Sequence, residues 1–338
     1  MSRIIQILFT SVIAISLLIS CSGEDGKEVH VSLDAFPQVV ELAADTLRLP
    51  SDSIFVPGAI APVYGGYLVF LYDNPCFLAA VDSSFTSMSM LAPKGEGPGE
   101  LSGVSSFGQP VGQDGEVAIY DPYSQTMYSC RPFVSPELNL LERLPESASS
   151  YSSGRILRLN SGKYVTPRGD FRYGMIAFAP SDTAVTEWPL GIAVDDPEHP
   201  KSNHMSLRGI AYEPDRGVVA EIYAGIPSVI LHDENGDIVR VITLDELRRD
   251  DPEADCINKV CLTRDCIWML YGDDDIDSDY TVFVTDYEGT PIGRIRINPT
   301  STMEIDEARG QLLTVDPNND EANIVAYPIP GAILGNQH

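Results

Sequence analysis

The side chains able to do chemistry in this 338-residue chain are mostly carboxylates and tyrosines beside turns. Tyr72-Asp73-Asn74, Tyr120-Asp121-Pro122 and Tyr271-Gly272-Asp273 each set an aromatic ring near an acid at the end of an apolar run. An exposed tyrosine stacks on a sugar ring or covers a peptide, and a neighbouring carboxylate meets a cation or a Lys/Arg of a partner. Tyr72, Asp73, Tyr120, Asp121, Tyr271 and Asp273 are therefore the candidate ligand-binding residues. The competing reading is architectural: Asp closing a strand makes an Asx turn, and Tyr near a strand end packs half-buried. The densest acidic run, Asp273 to Asp279, offers oxygen ligands for Ca²⁺ at alternate positions, Asp273, Asp275 and Asp277 first among them. Ser278 stands where an EF-hand loop needs Gly, and Val284 where it needs Glu, which favours a solvated loop over a calcium site.

No catalytic motif accompanies these residues. H-E-x-x-H and G-x-S-x-G are absent, and no Cys stands in a nucleophile context. His199 and His204 share a loop with Asp195, Asp196 and Glu198 and read as loop residues, while His232 falls in a repeated outer turn. The expectation is no catalytic residue and no cofactor. The alternative is a metal-dependent hydrolase or lyase acting on a glycan or lactone. Against 22 Lys+Arg stand 49 Asp+Glu, a net charge of −27, so a nucleic-acid partner is excluded for want of a basic footprint. With 43% hydrophobic residues the chain has the apolar material for a core and is no disordered polyacid.

The elements that must position these residues are short. From Gly65 onward, apolar stretches of four to seven residues alternate with Gly, Asp, Asn and Pro, without helical period, which reads as all-β. One stretch recurs: a Gly or turn pair, a buried-looking strand, then often an aromatic and an Asp. Its six copies begin at residues 66, 115, 162, 217, 265 and 310. Further strands follow most copies, as in Val229–Asp233 with Ile238–Ile242, and Val282–Asp286 with Ile292–Ile297. About four strands every fifty residues is the period of a propeller blade, so the expected fold is a six-bladed β-propeller with four antiparallel strands per blade. The last repeat lacks an outer strand, which Gln38–Leu42 or Asp45–Leu49 supplies, closing the ring with the N-terminal segment and covering its edge. Alternating strand direction then gathers the candidate turns, with Gly169-Asp170, Tyr223-Ala224-Gly225 and Asp316-Pro317-Asn318, around one mouth of the disc.

The first residues are a targeting segment. Arg3 precedes an apolar run from Ile4 to Ile19 that is too short for a comfortable spanning helix and is followed at once by polar residues. Leu18-Ile19-Ser20-Cys21 resembles the bacterial lipobox, in which the Cys is acylated and becomes the new N-terminus. Residues 1–20 are thus expected as a lipoprotein signal peptide, 21–35 as a flexible acidic tether and 36–338 as the propeller. Glu24 and Asp25 resemble the export tag of lipoproteins in some Gram-negative anaerobes, so the expected location is the outer membrane, at the cell surface or otherwise on the periplasmic face. Cys76, Cys130, Cys256, Cys261 and Cys266 remain, an odd number without zinc-knuckle spacing, and read as small buried hydrophobes.

Lys94-Gly95-Glu96-Gly97-Pro98-Gly99-Glu100-Leu101 resembles the G-x-G-P-G-E element of TolB-like six-bladed propeller lipoproteins, and the likeness extends from about residue 36 to 330. It implies fold and envelope location and carries over no catalytic residue. A wider similarity to NHL-type and TolB propellers implies binding of proteins or peptides; with rim tyrosines that can stack on a sugar, the expected partner is an envelope protein, peptide or glycan. Physically, the glycines and Pro98 read as a connector between blades.

Overall fold

The structure, a computed structural model, describes residues 26–50, 57–72, 74–111, 115–145, 155–168, 174–181, 184–190, 207–223, 226–247, 257–272, 280–300, 302–315 and 324–334. The signal segment with Cys21, the acids Asp73, Asp273, Asp275 and Asp277, the histidines His199 and His204, and Cys256 lie outside the described residues.

Three short N-terminal strands come first: β1 (Glu28–Val31), β2 (Val40–Glu41) and β3 (Asp45–Leu47). Six antiparallel sheets follow in chain order. Blade 1 is β4 (Pro57–Val63), β5 (Gly66–Leu71), β6 (Cys76–Asp82) and β7 (Met88–Pro93). Blade 2 is β8 (Ser106–Pro110), β9 (Val117–Asp121), β10 (Thr126–Arg131) and β11 (Ser135–Arg143); blade 3 is β12 (Leu157–Arg158), β13 (Tyr164–Pro167), β14 (Met175–Phe178) and β15 (Thr186–Trp188). Blade 4 is β16 (Leu207–Glu213), β17 (Val218–Tyr223), β18 (Ser228–Asp233) and β19 (Ile238–Leu244), and blade 5 is β20 (Ile257–Leu262), β21 (Ile267–Tyr271), β22 (Tyr280–Thr285) and β23 (Pro291–Ile297). Blade 6 has three strands of its own, β24 (Thr302–Asp306), β25 (Gln311–Val315) and β26 (Ile324–Pro328). Its fourth is β3, antiparallel to β26 with Thr46 opposite Val325. The fold is a six-bladed β-propeller closed by its N-terminal segment, as the repeat requires.

The N-terminal segment does more than close the ring. β2 adds to the edge of blade 5, parallel to β23, and β1 adds to blade 4, parallel to β19. Glu28–Val31 falls within the stretch expected as a flexible tether; it is a strand because the edge of β19 offers unpaired backbone groups and Val31 has an apolar slot to fill. Likewise, of the two segments with closing alternation, Asp45–Leu47 completes blade 6 while Val40–Glu41 covers blade 5.

The core lies between blades rather than at the centre. Six clusters of buried side chains occupy the successive joints; that of blades 4 and 5 sets Ile222 and Leu231 against Met269 and Phe283. Each blade is therefore covered on both faces, and its second strand is the most buried: all five residues of β9, the closing Asp121 included, are buried. The turn entering that strand recurs with a left-handed glycine, Gly65, Gly115, Gly162, Gly217 and Gly310 having φ between 63° and 90°, where a side chain would be strained. At Gly115, Gly162, Gly217 and Gly310 this is the repeated Gly of the sequence, while in blade 1 it is the residue before Gly66.

Candidate functional site

The first strands of the six blades, β4, β8, β12, β16, β20 and β24, stand around the axis and enclose a channel of about 340 Å³. Register fixes which end is the mouth: Pro57 pairs with Leu71, Ser106 with Tyr120 and Ile257 with Tyr271, so each inner strand begins beside the turn that follows the second strand. In four of the six, an extra residue at this end bulges out of the ladder (Gly58, Gly108, Arg208 and Asn258) and re-aims the residues after it.

The charges of the channel cluster toward this mouth. Lys259 Nζ donates to Glu304 Oε1 at 2.7 Å across the joint of blades 5 and 6, and the two side chains keep 26% and 29% exposure to the channel. Arg155, immediately before β12, reaches across to blade 4: a Cβ on Gly209 would lie 3.4 Å from its Nη1. Arg155 is wetted by the channel, yet the surrounding wall pulls its guanidinium below its ordinary value while Glu304 pulls it back. For Lys259 the wall also works downward, but the Glu304 carboxylate prevails and holds the ammonium above its usual range. Cys261 Sγ sits 3.1 Å from the Met303 carbonyl and 3.8 Å from Glu304 Oε2; burial, then the carboxylate, push its thiol well up. Opposite them, the Ser105 hydroxyl is buried without a hydrogen-bond partner among the described residues.

Below the charges the wall is mixed. Gln109 pins blade 2 to blade 3, its amide accepting from Arg158 N at 2.9 Å and donating to Arg158 O at 2.5 Å, in the manner of a strand backbone. Phe107, Leu157, Ile210 and Ile305 are half-buried and line the channel. The arrangement can hold a small molecule by an ionic head and an apolar flank.

The residues expected at the rim divide. Tyr72 is 58% exposed, its ring edge-on to Phe70 and its carbonyl accepting from Lys94 Nζ at 2.7 Å. Tyr271 is half-buried and leans on Phe283. Tyr120 and Asp121, by contrast, lie inside the wall at 1% exposure. Asp121 accepts from the backbone N–H groups of Ser102, Tyr123 and Ser124, and Tyr120 joins the core between blades 2 and 3. An acid that ends a fully buried strand is used by its own turn. The exposed aromatic of that turn is Tyr123, at 78%, two residues beyond the pair singled out by the sequence. Arg155, Lys259 and Glu304 carried no motif; their signal was position, at the start of the strand preceding each recurring one. Glu100 Oε2 accepts from Gly97 N at 2.8 Å, closing the Gly/Pro connector on itself between blades 1 and 2. Among the described residues no three His, Cys, Asp or Glu come together as a metal cluster, and no helix is long and apolar enough to cross a membrane. The described cysteines, Cys76, Cys130, Cys261 and Cys266, are free thiols.

No protein-family profile and no curated protein sequence matches the chain. Solved structures resemble it in fold. A candidate exported protein of Bacteroides fragilis superposes with a TM-score of 0.55 at 13% identity, over 89% of this chain and 98% of its own. A member of the DUF4221 family from Bacteroides vulgatus gives 0.56 at 11% identity, over 85% and 97%. A gluconolactonase of Xanthomonas campestris gives 0.50 at 12% identity, over 85% and 89%. At such identities the likeness is one of fold.

Proposed function

We propose that the protein is a binding module of the cell envelope, TolB-like in kind and held to the membrane by a lipid on Cys21, whose ligand enters the central channel. The observation that carries the channel reading is the grouping of Arg155, Lys259 and Glu304 at the mouth of a cavity that all six inner strands line. Propeller axes are rigid, and groups offered there from several blades are held in place before any ligand arrives, which lowers the entropic cost of binding. The lipobox and the fold shared with exported proteins support the envelope location; acylation predicts that Cys21→Ala abolishes fatty-acid labelling and membrane retention.

The channel reading is tested by thermal-shift titration of the intact protein and of Ala59→Trp, which fills the cavity from β4. A ligand bound in the channel raises the melting temperature of the native protein by mass action and leaves the filled variant unmoved. Equal shifts in both would move the site off the axis.

A further inference from the structure

The chain enters the propeller from the face opposite the channel mouth. Each fourth strand runs from that lower face toward the mouth, and β1 lies parallel to β19, with Glu28 opposite Val241 and Val31 opposite Leu244. Its far end is fixed at the mouth side, where Leu33 N donates to Glu246 Oε2 at 2.8 Å. Its near end is held low on the blade: Gly26 O accepts from Arg240 Nη1 at 3.0 Å, and Lys27 O from Val241 N at 2.9 Å. Cys21 stands five positions before Gly26, and a fully extended chain of that length reaches about 18 Å. The register of β1 sets Gly26 beside Val239, so returning to the level of Leu244 would consume about 17 Å of that reach. A lipid on Cys21 therefore holds the lower face to the bilayer and leaves the mouth on the far side.

That face carries side chains suited to lipid headgroups. Tyr64, in the β4–β5 turn, is 75% exposed; Val134, in the β10–β11 turn, is 70% exposed, and Phe133 beside it 38%. Glycines seat them: a Cβ on Gly66 would lie 2.7 Å from the Phe133 ring, and one on Gly115 2.8 Å from the Tyr64 side chain. The two turns thus form one apolar patch across blades 1 and 2. Tyrosine rings, apolar in body and polar at the tip, settle at the headgroup level of a bilayer. Exposure alone does not choose the face, because Tyr72 and Tyr123 are exposed at the mouth. The direction of β1 does.

Resting on the lipid anchor at Cys21, we infer that the lower face docks on the bilayer surface through Tyr64, Phe133 and Val134, and that the channel opens away from the membrane. Ligand then reaches the axis from the aqueous side. A chain of net charge −27 is repelled by anionic lipid, so the surface that receives it is zwitterionic.

Hydrogen exchange of the acylated full chain on phosphatidylcholine vesicles, read against Cys21→Ala in solution, tests this. Amides of residues 64–66 and 131–135 are expected to exchange severalfold more slowly on vesicles, and those of residues 121–125 at the mouth to be unchanged. Tyr64→Ser combined with Val134→Ser removes that slowing while the acyl chains keep the protein on the vesicle, and its melting curve verifies that it folds. The inference fails, with the anchor intact, if the acylated protein shows slowing at the mouth, on both faces or on neither, or if the double variant keeps it undiminished. A native chain that carries no fatty acid and stays off the vesicles would defeat the anchor and the docking together.

Discussion

His232, expected in a turn, lies on β18 with no exposure, and shows how a polar residue is made safe inside a blade. Its Nε2 is 2.9 Å from Glu221 Oε1, while Nδ1 faces the Gly236 carbonyl at 3.2 Å. Tyr223 Oη accepts from Gly174 N at 2.7 Å, so its own proton is given to Glu221 Oε2, also at 2.7 Å. Every partner is thus supplied, and the group links blade 4 to blade 3. Removing His232 leaves the Glu221 carboxylate buried with the Tyr223 hydroxyl as its remaining side-chain partner among the described residues. His232→Leu is expected to lower unfolding free energy by about 3–5 kcal/mol, whereas His232→Leu with Glu221→Leu recovers part of that loss. Urea denaturation of the two variants measures it; a double variant no more stable than the single would contradict the pairing. At this scale the sequence was least legible. Asp121 and Asp73 look alike in sequence, each an acid after an apolar run with an aromatic, and only the turn around Asp121 reveals that three backbone N–H groups consume it.

At the scale of elements, the N-terminal segment spans blades 4, 5 and 6 in turn, and its three strands are unequal. β3 completes a blade; β1 and β2 cover edges already four strands deep. Deleting residues up to 41 is therefore predicted to leave a folded ring with a lowered melting temperature, and deleting up to 49 to abolish cooperative unfolding by circular dichroism. Full stability after the longer deletion would show that β3 is dispensable. The docking of β1 also depends on pH. His30 Nδ1 lies 2.6 Å from Asp245 and Nε2 3.2 Å from Glu28, and Asp245 chiefly raises its pKa above 6.5, with burial opposing. A raised folded-state pKa contributes stability that is complete below the unfolded value and disappears as pH climbs through the folded one. Amides of β1 are accordingly expected to lose protection above neutral pH, after correction for intrinsic exchange, and His30→Gln to remove that dependence. The blade strands were legible because burial on both faces writes them as apolar runs such as Val117–Tyr120. β1 was not, since an edge strand of four residues held by backbone bonds needs no apolar pattern, and β2, legible by its alternation, could not be told from β3 as the strand that closes the ring.

For the whole molecule, repetition was the legible property and the channel the illegible one. Six copies at regular spacing specify a ring, but what the ring surrounds is set by single residues from different repeats, Arg155, Lys259 and Glu304, separated by up to 149 positions. No local pattern joins them; closure does. The most direct measurement is thermal-shift titration of the native protein and of Ala59→Trp against a panel of small molecules, peptides and glycans. A ligand is predicted to raise the melting temperature of the native protein and to leave Ala59→Trp unmoved. Ligands that shift both proteins equally would contradict the channel as the binding site.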